Sequence, residues 1–318
     1  MTPTRADATP PLGTVLPALA GRGAGRGLTI RDDALKYLLI LPAVLLVGFT
    51  ALWPLAYSLV LSFRTWHLAR SPRPGGFVGV ANYGQAFGAH EFLAAVSTTA
   101  LFVALTVTLT TGLALGLALL LSRGGLLRRT VQTLLILPFA MSPALVGVSW
   151  RFLFHPEFGL FSALARTALP PLQGVDWLAS PVLAFAVLVI ADTWAWTPFM
   201  TLILIGGLAS LPRETIEAAQ VDGSPTWRIV LGIVIPQLVP VLTVVVILKT
   251  IFALKTFDVI FMLTQGGPGQ ATETMVYYAY LSGFKYYNMG YAAAVSWLMV
   301  IPMLALTSLY IRFVFRRA

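Results

Sequence analysis

The chain has no cysteine among its 318 residues. Disulfides, thiolate metal sites and thiol nucleophiles are therefore excluded. Histidine is scarce as well. His67, His90 and His155 lie scattered outside the apolar runs, which argues against a histidine metal centre. Charge is low: 10% of residues are charged, whereas 58% are apolar. No ordinary soluble domain has that balance, so the class is an all-α integral membrane protein. Catalytic motifs are also missing. Gly266-Gly267-Pro268-Gly269 lacks the lysine and following helix of a phosphate-binding loop. Neither a nucleophile elbow nor a zinc-binding helix motif is present. The chain is not read as an enzyme, and any ATP-driven step would need another chain. The net charge of +9 could suggest nucleic acid, but its placement fits a membrane surface instead.

What is present is six long apolar runs. Before them, residues 1–35 are rich in Pro, Gly, Ala and Arg without helical period, and read as a disordered basic tail. No cleaved signal peptide is expected, because the first run is too long for one and no small-residue cleavage site follows. The runs cover about 37–63, 92–121, 131–154, 182–208, 238–263 and 292–315. The organisation expected is a first span with its external loop (36–91) and a core of five spans (92–318). Interior prolines, such as Pro138, Pro143, Pro198 and Pro302, predict kinked helices packed around something. Gly112 and Gly116 predict a close helix contact, within the subunit rather than between subunits. Alternate connecting segments carry 13 Lys and Arg on one side and 5 on the other. The positive-inside rule then places both termini, the Arg123–Arg129 loop and residues 211–236 in the cytoplasm.

Leu211–Pro240 is the polar exception within this chain. Pro212 can open a short helix, and Gly223 suits a left-handed cap at its end. Ser224 and Pro225 read as N-cap and first turn of a second short helix over 226–235, which Pro236 and Pro240 would separate from the next span. Such punctuation between two spans points to a docking element.

The spacing within it is specific. Glu217-Ala218-Ala219, then Gly223, Ile233 and Ile235-Pro236, resembles the cytoplasmic signature of binding-protein-dependent ABC importer permeases. The single departure is Ile235 where the family pattern has Leu. A second stretch, Thr256 to Thr264 followed by Gly266-Gly267-Pro268 and Ala271-Thr272-Glu273-Thr274, is similar to carbohydrate importer permeases, most of all the maltose-type first permease subunit. The resemblance runs from about Lys36 to the end. It implies a type I importer fold with a coupling helix carrying Glu217, Ala218, Ala219, Asp222 and Gly223. It also implies a second permease subunit, two ATP-binding subunits that hold ATP and Mg, and an extracytoplasmic solute-binding protein. The setting would be a bacterial or archaeal cytoplasmic membrane, with lipid around the chain and a sugar, a di- or oligosaccharide, as cargo.

Candidate cargo contacts come from charge inside the spans. Asp192 and Trp196 share a helix face, with Trp194 between them; a carboxylate beside an aromatic suits a sugar. A packing hydrogen bond for Asp192, and interfacial anchoring for Trp194 and Trp196, are equally open. Lys255 and Asp258, three apart, can pair with each other or face the cargo. The alternatives are an importer for glycerol phosphate or another small solute, and a secondary transporter driven by ions.

Overall fold

A computed structural model of the chain describes residues 32–122, 126–168 and 174–315. The expected tail falls almost wholly outside them, as do Arg123 and the last three residues. The chain divides into two units, Met1–Leu55 and Ala56–Ala318. In the first, the described residues are helical and none of residues 35–55 is buried.

The described residues form twelve helices in chain order. Helix α1 is Leu35–Ser62, α2 Ala81–Gly88 and α3 His90–Leu121. Then come α4 Leu126–Ala140, α5 Pro143–Leu153, α6 Leu160–Ala168 and α7 Pro181–Ala209. The insert begins with α8 Arg213–Val221, followed by α9 Thr226–Leu254. The chain closes with α10 Asp258–Leu263, α11 Met275–Tyr280 and α12 Met289–Phe315. Among the described residues, five helices are long and apolar enough to span a membrane, or six if α4 and α5 count as one broken span.

Two spans differ from the sequence expectation. The third is not one kinked helix, because α4 and α5 meet at 94°. Ser142 caps α5 by accepting the Leu145 N–H at 3.3 Å, with Pro143 in the first turn, so a new helix starts there. The fifth begins at Thr226 rather than 238 and ends at Leu254. Pro236 and Pro240 do not break it. Over Val230–Val234, just before Pro236, the turn widens to the π register, and the helix passes its prolines without ending.

In the second unit, α3 packs along α7, and α5 along α10. One buried cluster joins Phe102, Val146, Leu188 and Ile260; another joins Ala114, Ala118, Met200, Leu204 and Leu238. Close approaches occur where glycine has no side chain. A Cβ on Gly147 would lie 2.7 Å from the Met262 Cβ, and one on Gly207 would lie 2.9 Å from Val241. Gly112 and Gly116 are not such points: nothing lies within 4 Å of a Cβ on either. The packed face of α3 is instead the adjacent one, with Ala114 and Ala118 fully buried.

Candidate functional site

The insert is built by a local hydrogen-bond pattern. Helix α8 ends in a Schellman motif: the Ser224 N–H donates to the Ala219 carbonyl and the Gly223 N–H to the Gln220 carbonyl, each at 3.0 Å. Gly223 is left-handed, at φ 74°. The four-residue step from Ala219 to Gly223 is thus the step this closure requires. Ser224 makes no side-chain cap; Pro225 precedes the next helix, and the Arg228 N–H donates to the Pro225 carbonyl at 2.9 Å. No residue of α8 is buried. Glu217, Ala218 and Asp222 are exposed, Ala219 is half-buried, and Val221 is 87% exposed. The opposite face of α8 stands over a cavity of about 590 Å³. Arg213, Ile216 and Gln220 line it together with the ends of α3 and α7.

A nine-residue helix with no buried side chain lacks the packing that stabilises most short helices. Here the C-terminal Schellman closure and the short return into α9 hold it. The turn 222–225 joins α8 to α9, which continues from Thr226 to Leu254 as a membrane-length helix.

Further along α7 and α9 lies a buried ion pair. Lys249 Nζ donates to Asp192 Oδ2, and the two side chains are 0% and 1% exposed. Lys249 Nζ also sits 5.6 Å from the centroid of the Trp196 ring. Trp196 in turn stacks on Phe252 at 4.2 Å. Asp192 and Trp196 therefore do share a face, but its partner is α9. Spacing along the chain could not identify Lys249, 57 residues away. The hint was that a lysine deep in a span needs a counter-charge.

Lys255 and Asp258 sit elsewhere, on either side of the break between α9 and α10. Both are exposed, and no ion pair joins them among the described residues. Trp194 is 40% exposed, with its ring 5.9 Å from that of Trp150. The structure thus brings Asp192 and Trp196 together through Lys249, and among the described residues no hydrogen bond, ion pair or ring contact joins Trp194, Lys255 or Asp258 to them. Among the described residues, no group of three His, Cys, Asp or Glu could hold a metal ion.

The comparisons with known proteins match this arrangement. Residues 108–317 match the family model described as "binding-protein-dependent transport system inner membrane component". The trehalose/maltose transport system permease protein MalF of Thermococcus litoralis is 34% identical over 289 residues, covering 90% of this chain and 95% of that protein. The sn-glycerol-3-phosphate transport system permease protein UgpA of Agrobacterium fabrum is 33% identical, covering 90% and 96%. Among solved structures, a bacterial ABC transporter involved in the import of the acidic polysaccharide alginate superposes with a TM-score of 0.78 at 20% identity. That superposition covers 90% of this chain and 97% of the other. Exposed insert, broken spans and family match agree: the chain belongs to the binding-protein-dependent transport system inner membrane components and is a multi-pass permease subunit of an ABC transporter.

Proposed function

We propose that this chain is one of two permease subunits of an ATP-driven importer whose cargo is a di- or oligosaccharide. The observation that carries the proposal is the insert: a capped helix with no buried residue, bearing Glu217, Ala218, Ala219 and Gly223 in the family spacing. Its exposed face takes a cleft on an ATP-binding subunit. Ala218 and Ala219 permit close backbone approach, and Glu217 reaches a basic group there. ATP and Mg are held by that partner, and a solute-binding protein delivers the cargo from outside. Both termini and the insert face the cytoplasm, as the 13-to-5 distribution of cations supports. The tail occupies residues 1–35, the first span and its loop 36–91, and the five-span core 92–318.

Cargo passes along the broken helices. Irregular backbone at membrane depth persists only where protein buries it or where it lines a water-filled path. Lys255 and Asp258, exposed on either side of such a break, face that path, as does Trp194. The burial of Asp192 against Lys249 supports a structural role for that pair, with Trp196 as its lid. Closure of the ATP-binding subunits pulls α8, and α9 with it, between outward-open and inward-open states.

The names of the relatives set the cargo panel: trehalose, maltose and glycerol 3-phosphate. Uptake into proteoliposomes holding the full importer tests the proposal. The expected result is uptake of a sugar that requires ATP and the loaded binding protein. Uptake driven by a proton or sodium gradient without ATP would contradict it.

A further inference from the structure

At the end of the second unit opposite the insert, a cavity of about 440 Å³ has no role in coupling through the insert. It lies among α2, the start of α3, the segment before α11 and the start of α12. Its lining is polar, including Glu91, Gln270, Glu273, Ser282, Tyr286 and Asn288. The hydroxyls of Tyr278 and Tyr291, 2.9 Å apart, close one wall. Ser282 comes from a π turn, Leu281–Lys285, which directly follows α11.

Glu273 is the unexplained group. It is 6% exposed and lines the cavity. Among the described residues no N–H or O–H donates to its carboxylate, and it forms no ion pair. A carboxylate that no donor of the described residues satisfies, and whose oxygens are not sealed off from the cavity, is free to accept hydrogen bonds from a ligand that brings donors. The remaining groups specify the ligand. Asn288 accepts the Tyr291 N–H through Oδ1 at 3.3 Å, which leaves its NH₂ to donate into the cavity. Gln270 adds a second amide, and Tyr286, 56% exposed, offers a ring. A carboxylate that accepts, amides that donate and an aromatic face together match a pyranose, whose hydroxyls do both and whose C–H face stacks.

Size and charge set the other occupants aside. The volume is in the range of small-molecule sites and leaves a bare cation mostly unsupported. Two carboxylates without a third ligating side chain are a weak metal site.

We propose that this cavity is an extracytoplasmic subsite for one pyranose unit of the cargo, with Glu273 accepting its hydroxyls. The proposal rests on the sugar-importer function. The test uses the full importer in lipid nanodiscs, with trehalose and maltose as probes. Equilibrium binding is measured for wild type, Glu273→Gln and Gln270→Ala, with uptake of each sugar measured in parallel. CaCl₂ and the sugar-free binding protein form two further arms. The expected result is binding of a transported sugar that weakens about tenfold in Glu273→Gln, the effect of losing one charge-assisted hydrogen bond. Gln270→Ala, at an exposed position, is expected to weaken it about threefold, as for one neutral hydrogen bond. A transported sugar whose binding is the same in wild type and both variants overturns the subsite and leaves the importer function standing. A cavity that responds to Ca²⁺ or to the binding protein, and not to sugar, overturns it as well. Transport of neither sugar, with no binding of either, overturns both.

Discussion

At the scale of single residues, the Asp192–Lys249 pair has the largest expected effect on stability. Two opposite charges at 1% and 0% exposure hold α7 to α9. Removing one partner leaves the other buried without a counter-charge, which costs about 3–5 kcal/mol. Lys249→Met and Asp192→Leu are each expected to lower the melting temperature in detergent, and the double variant to recover most of the loss. Equal loss in all three would show that the pair does not act as a unit. Glu273 gives a pH dependence. Burial is the main cause that raises its pKa; Glu91 adds to the rise and Lys285 opposes it. Because the folded chain keeps this proton to a higher pH than the unfolded chain, the contribution to stability is present at low pH. It is lost as pH rises through the folded value. Wild type should therefore lose stability relative to Glu273→Gln as pH rises above the ordinary glutamate range, as read from paired melting curves.

At the scale of elements, glycine separates two effects. A Cβ on Gly147 would fall 2.7 Å from the Met262 Cβ and 3.1 Å from the Val259 carbonyl oxygen. Gly147→Ala must push α5 from α10, at about 1–3 kcal/mol, and thermal unfolding will read it. A Cβ on Gly223 meets nothing within 4 Å, so Gly223→Ala carries only left-handed strain, about 1–2 kcal/mol, confined to the insert. That variant is expected to lower sugar-stimulated ATPase activity of the importer with little change in melting temperature.

The same elements mark what could be read from sequence. Apolar runs of spanning length were legible because a bilayer demands them. Their breaks were not, since Pro198, Pro240 and Pro302 all sit inside continuous helices while Pro143 begins a new one. Proline alone does not distinguish the cases. The cap from Ser142 does, and that residue pair was available in the chain. A helix starting at Thr226 was legible, but its continuity with the fifth span was not, because Pro236 and Pro240 read as a break. Gly223 was legible because left-handed backbone favours glycine so strongly. Lys249 as the partner of Asp192 was not, because tertiary packing sets that contact. Gly112 and Gly116 misled for a similar reason: small residues permit close approach without enforcing it.

At the scale of the whole molecule, the insert is the place where, under the proposed function, another protein's ATP cycle moves this one. The absence of native cysteine makes that directly measurable. Ala218→Cys introduces a single thiol on the exposed face of α8, which can carry a photoactivatable maleimide in the assembled importer. The expected result is photocrosslinking to an ATP-binding subunit, with a yield that changes on ATP addition, and loss of both crosslink and uptake when Glu217→Lys is added. No crosslink to that subunit in a complex that transports, or uptake that survives Glu217→Lys, would contradict it.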